Sequence, residues 1–199
     1  MFRFDIINKL IEKHGYESYL EIGTQGDACL REIKCNYKVG IDPDPVFHDE
    51  KNSNEFHTMN SDLFFSQNVR RFDLVFVDGL HESPQVKKDI RNSLHYLKPG
   101  GTVVVHDCNP QEEINQQVPM PHVGSWNGDV WRAWLWFRQL ATADMYVIDA
   151  DEGCGVIQRG YQQTINYDSD MTFAEFAENR KKLLNLISLD EWEQRYINV

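Results

Sequence analysis

Two short runs constrain the fold of this chain more than anything else in it. Phe72-Asp-Leu-Val-Phe-Val-Asp-Gly79 and Thr102-Val-Val-Val-His-Asp107 are nearly continuous in apolar residues, and each carries an acid at its end. Strands of this composition need cover on both faces, which is the condition inside a parallel sheet. Between them, Ser83 and Pro84 offer a helix start, and Val86, Ile90, Leu94 and Leu97 an apolar stripe that Pro99-Gly100-Gly101 stops. The same alternation runs upstream. Ile6, Ile7, Leu10 and Ile11 mark a first helix that Gly15 can end, and Tyr19-Leu20-Glu21-Ile22 reads as a strand closed by Gly23-Thr24-Gln25-Gly26. Asp27 can then cap a helix carrying Leu30 and Ile33, before a strand from Tyr37 to Asp42 that stops at Pro43. Strand, turn, helix and strand form a βαβ unit, whose right-handed crossover makes the strands parallel. The pattern predicts a doubly wound, mostly parallel α/β sheet with helices on both faces.

Residues 108–127 hold three prolines and little periodicity, and are expected to form a substrate loop. An aromatic helix over 128–140 follows, then strands at 145–148 and 155–157. The tail, 170–199, carries capping boxes at Thr172/Glu175 and Ser188/Glu191 and should end in helices. Without repeats or linkers, residues 1–199 read as a single domain. Twenty Lys and Arg against 31 Asp and Glu give a net charge of −11, which disfavours nucleic acid and anionic membrane surfaces as partners. No run approaches the roughly 18 apolar residues of a membrane span, and the first residues lack a signal peptide's apolar core, so a cytoplasmic location is expected. Four cysteines with no C-x-x-C pair read as reduced thiols.

Ligands of doubly wound sheets lie beyond the carboxyl ends of the strands, so the residues there carry the functional expectations. The glycine turn after Glu21 lets a ligand approach the backbone, although a tight turn wants glycine in any case. Asp42 ends the second strand, where a carboxylate can accept ribose hydroxyls. Asp62 follows a third strand and suits an adenine amino group; Ser61 and Asp62 serve equally well as helix caps. Asp78 and Asp107 end strands expected to be neighbours, about 5 Å apart, a spacing that suits a divalent cation. His81 and His106 stand beside them as metal ligands or proton acceptors. His14, His48, His57, His95 and His122 have no comparable setting. Trp126, Trp131, Trp134, Trp136 and Phe137 suggest core packing or a subunit interface before a substrate platform, and Asp129 and Arg132 are possible substrate contacts.

Taken in order, Leu20-Glu-Ile-Gly-Thr-Gln-Gly26, Asp42, Ser61-Asp62, Phe72 to His81, Leu97-Lys-Pro-Gly-Gly101 and His106-Asp107 resemble class I S-adenosylmethionine-dependent methyltransferases. Within these the chain looks most like the small bacterial group related to macrocin O-methyltransferase. The resemblance spans residues 18–110, and the ordered set is what makes it specific. It implies a Rossmann-like sheet of seven strands with one antiparallel. It also implies that Glu21, Gly23, Thr24 and Gly26 surround the methionine part of the cofactor, Asp42 the ribose and Asp62 the adenine. Asp78 would touch cofactor and metal alike, with Asp107 as a second ligand. Where the macrocin-like enzymes tend to carry two consecutive acids after the fifth strand, this chain has His106-Asp107-Cys108-Asn109. A site of Asp78, Asp107 and His106 suits manganese, whereas the two acids with water suit magnesium. The expected activity is O-methylation of a small hydroxylated molecule such as a sugar, with Asp78, His81 and His106 as catalytic residues. An NAD-dependent oxidoreductase and a non-catalytic S-adenosylmethionine-binding scaffold are the alternatives, and the tryptophan cluster hints at a homodimer.

Overall fold

The computed structural model describes residues 1–121 and 125–198. His122 therefore lies outside the described residues. The strands are β1 (Ser18–Ile22), β2 (Tyr37–Ile41), β3 (Glu55–His57), β4 (Phe72–Val77), β5 (Leu97–Val105), β6 (Ala143–Ile148), β7 (Cys154–Arg159) and β8 (Leu186–Ile187). They form one sheet in the order β3-β2-β1-β4-β5-β7-β6-β8, in which β7 alone runs antiparallel to its neighbours. The sheet thus has eight strands rather than seven. The added strand arises where Asn185 takes a left-handed conformation and turns the chain alongside β6, pairing Leu186 with Val147.

Alternation with period two splits the side chains between two cores. Val103 and Val105 of β5 pack with Val75 and Val77 beneath α3 (Ser83–His95), α4 (Val130–Arg138) and α5 (Phe173–Leu184). Val104 points the other way, toward Leu74, Phe76 and Tyr146 and the first helix, α1 (Arg3–His14). Helix α6 (Leu189–Trp192) closes that second face with Trp192 fully buried. Trp131 and Trp134 are wholly buried inside one copy of the chain, so these two pack the core, whereas Trp126 and Trp136 are partly exposed. No helix among the described residues is long and apolar enough to cross a membrane.

Several local expectations change. After the glycine turn only a single 3-10 turn, Leu30–Glu32, forms in place of a helix. Asp27 does not cap it: its backbone is left-handed (φ 58°), and its carboxylate accepts from His48 Nδ1, the Asp49 amide and Asn52 Nδ2. Asn60, not Ser61 or Asp62, caps α2 (Ser61–Gln67) by accepting from the Leu63 amide. Helix α3 is capped from a distance, since the Ser83 amide donates to Asp129. Arg132 is likewise spent on structure, donating to the carbonyls of Ser169 and Met171. Thr172 and Ser188 cap their helices as the sequence suggests, and all four cysteines are unpaired.

Candidate active site

The ladder itself assembles the site. Gly23 N donates to Ile41 O, Asp78 N to Ile22 O and His106 N to Val77 O, so pairing continues one residue past each strand. Asp42, Asp78 and Asp107 consequently stand in a row along one end of the sheet. They border a cavity of about 950 Å³, large enough for a nucleoside-sized ligand together with a small acceptor. Gly23 is required there, because it has φ 85° and a Cβ would lie 2.1 Å from the Asp78 carbonyl oxygen. Thr24, Glu21, Asp42 and Asp62 also line the cavity, whereas Gly26 does not, and a Cβ on Gly26 would meet nothing within 4 Å.

The centre of the cavity is charged. Asp78 Oδ1 lies 3.4 Å from His81 Nε2, which is also 3.4 Å from Asp107 Oδ2. Ligand atoms of Asp78, His81 and Asp107 all fall within 4.8 Å of one another. The third member of this group is His81, not His106. His106 Nδ1 instead sits 2.8 Å from Asp107 Oδ2 and 3.3 Å from Asp78 Oδ1, with Nε2 facing Asp151 at 3.7 Å. Burial opposes the charged form of His106, but Asp78 and Asp107 outweigh it and carry the imidazole well above its ordinary value. The two acids thus favour the charged form of His106. Asp78 is the counterpart: burial would raise it, yet His106 and His81 hold it below the usual carboxylate range. Burial also opposes protonation of His81, and its contacts with Asp78 and Asp107 raise it modestly. Glu21 is different, because burial, helped by the like charge of Asp78, pushes it up to about 8 although Tyr19 donates to its carboxylate.

Loops lock this centre from above. His81 Nδ1 faces the Trp126 carbonyl at 3.2 Å while its ring stacks on the Trp126 indole, centroids 4.9 Å apart. That contact makes Nδ1 a donor and turns Nε2 toward the two carboxylates. Asn127, fully buried, donates to Asp107 Oδ1 and Glu152 Oε2. Gly128 lies against His81 so closely that a Cβ would fall 1.8 Å from its carbonyl oxygen. From the β6–β7 turn, Asp151 and Glu152 approach with left-handed backbones, and Arg3 of α1 reaches Asp151. Asp89 of α3 borders the cavity too, pushed up to about 6 by burial.

Arg3, Asp89, Asn127, Asp151 and Glu152 were not among the residues the sequence singled out. One signal was available for the turn: β7 is antiparallel, so the turn after β6 must open at the same end of the sheet as the strand-end acids. Asp62, by contrast, was singled out and borders the cavity, but it is half-exposed and already bound by Lys88 Nζ at 2.8 Å.

Residues 20–108 match the family model of a methyltransferase domain. The matched segment has the fold of class I S-adenosylmethionine-dependent methyltransferases. Among solved structures, the fold is similar to the O-methyltransferase TomG of Streptomyces achromogenes, involved in tomaymycin synthesis and solved with S-adenosylmethionine. That likeness has TM-score 0.59, 16% identity and 79% of each chain covered. An O-methyltransferase from Bacillus cereus, solved with S-adenosylhomocysteine, gives TM-score 0.58, 13% identity, and 79% and 80% coverage. A polyketide synthase-nonribosomal peptide synthetase of Talaromyces wortmannii, TwmB, is 28% identical over 123 residues, 53% of this chain and only 4% of that protein's length. These likenesses reach the class and do not single out the macrocin-related group. The methyltransferase fold here lacks one element that a dinucleotide would use. With only a 3-10 turn behind the glycine turn, the described residues there present no α-helix N-terminus to a pyrophosphate.

Proposed function

We propose that residues 1–199 act as one catalytic unit that transfers a methyl group from S-adenosylmethionine to a hydroxyl oxygen of a small, polyhydroxylated molecule. The observation that carries this reading is the convergence of Asp78, His81 and Asp107 at the centre of the cavity. Methyl transfer is an in-line displacement on a sulfonium, so alignment supplies the larger share of the acceleration, about 7–11 kcal/mol, and a base about 10²- to 10⁴-fold. Thr24 and Gly23 border the path to the glycine turn, and Asp42 offers its carboxylate to a ribose. Both its oxygens already accept from the Gln25 and Asp44 amides, which fix its orientation. His81 Nε2 takes the proton of the acceptor hydroxyl. Asp78 and Asp107 orient His81 and stabilise the imidazolium formed, and His106 beside them favours the ionised form of Asp78.

A second reading is favoured by the same 4.8 Å convergence. The donor set of two carboxylates and an imidazole fits a divalent cation, and its third donor favours manganese over magnesium. Bound there, the ion would lower the pKa of the acceptor hydroxyl, and His81 would be a ligand instead of the base. The acidic wall supports a neutral or cationic acceptor over an anionic one. The test is methyl transfer to a panel of sugars and glycosylated metabolites, assayed with chelator and with added manganese or magnesium. Turnover that survives chelation and is lost in His81→Gln supports the base, whereas turnover restored only by metal supports the ion. Binding of S-adenosylhomocysteine with no transfer to any hydroxylated acceptor would leave the scaffold alternative.

A further inference from the structure

We propose that Arg3 is the anchor for the carboxylate of the cofactor's amino-acid head, an inference that rests on the S-adenosylmethionine reading above. The cavity is crowded with acids: Glu21, Asp42, Asp78 and Asp107 from the strand ends, with five more Asp or Glu on or behind the wall once Asp151 is included. Arg3 is the one Lys or Arg among its described lining residues. The ligand's head is a zwitterion. Its ammonium finds partners readily, because Glu21 and Asp78 end the adjacent strands β1 and β4. Its carboxylate has no such choice, and in a wall of like charges only the neighbourhood of a permanent cation is tolerable.

The placement of Arg3 fits this use. Asp151 Oδ2 accepts from the Arg3 amide at 2.7 Å and from Nη1 at 3.1 Å, which fixes the start of α1 against the β6–β7 turn. Nε is buried without a hydrogen-bond partner, 3.6 Å from Asp78 Oδ2. The fork is therefore hydrogen-bonded at one nitrogen only, with Nε turned to Asp78, one of the two acids suited to the ammonium. A guanidinium with unused N–H groups binds a carboxylate with geometric selectivity that a point charge lacks.

The experiment compares two ligands by calorimetry on the full chain: S-adenosylhomocysteine, which has the amino-acid head, and 5′-methylthioadenosine, which lacks it. In Arg3→Gln the first should weaken about tenfold to hundredfold and the second by less than about twofold, and Arg3→Lys should recover part of the loss. Retained binding of methylthioadenosine shows that the variant is folded. Equal weakening of both ligands would mean that Arg3 only braces the wall, and unchanged affinity for both would mean that it does not meet the head; either overturns the proposal. A wild-type chain that binds neither compound overturns the cofactor reading itself, a failure distinct from those two.

Discussion

At the carboxyl ends of β1, β2, β4 and β5 the acids are placed by the ladder, whereas Arg3, Asn127 and the Asp151-Glu152 turn reach the same cavity only through side-chain contacts. The first wall is local. Glu21 is the penultimate residue of β1, Asp42 and Asp78 directly follow β2 and β4, and Asp107 lies two residues past β5, so once the strands pair their positions are settled to within the spacing of the sheet. The second wall is assembled from afar: the bond from Arg3 to Asp151 joins residues 148 positions apart. A wall of the first kind fixes where chemistry occurs, and one of the second kind fixes charge and orientation around it.

The sharpest way to break this comparison is at a strand end. Asp78→Asn removes the acid that both histidines face and should lower kcat/KM by about 10³-fold or more, a larger loss than the one it causes in S-adenosylhomocysteine affinity. Full activity in that variant would sink the assignment. Next in size is a loss of stability at the second wall. Gly128→Ala places a Cβ against the His81 carbonyl at a left-handed position (φ 58°), and should cost about 2 kcal/mol or more of unfolding free energy, read from denaturant midpoints. A midpoint equal to wild type would show that the loop yields, so that His81 is not locked by it.

A smaller effect at the first wall is read by pH. Folded Glu21 releases its proton only near about 8, against 4.5 ordinarily. Between those values the folded chain keeps a proton that the unfolded chain loses, so this group's contribution to stability falls as pH rises through that window and is constant above it. An ammonium ligand binds the ionised form, so affinity for S-adenosylhomocysteine should rise with pH from 6 to about 8, by at most about tenfold per unit. Glu21→Gln should flatten the slope, and a slope unchanged in that variant assigns it to another group. His106 gives the same sign, in a higher window. Its raised value means that its stabilising charge is complete below its ordinary range and is lost only as pH climbs through the elevated one. The least effect is expected at Asp62→Asn, whose carboxylate is half-exposed and already paired with Lys88: under about threefold in cofactor affinity.

The sequence made the first wall legible because buried strands announce themselves by composition, and whatever follows them must lie at one end of the sheet. Gly23 was legible as a turn but not as the contact that lets Asp78 close against β1, since that partner is 55 residues away. His81 and His106 were named together, yet their roles separate only in three dimensions, through the Trp126 carbonyl on one and Asp151 on the other. The helix expected after Asp27 failed for a comparable reason: a carboxylate that could cap the next turn is drawn instead to His48 and Asn52, more than twenty residues on.

The margins of the sheet carry a consequence of their own. A strand without a neighbour presents free amides and carbonyls on which another molecule can stack, and this is a common route into aggregates. Here the outermost strands, β3 and β8, are three and two residues long. Glu55 and His57 further place a charge and a polar ring on the β3 margin. A second copy approaching either margin meets a ladder too short to extend, so the long apolar strands in the middle stay out of intermolecular pairing.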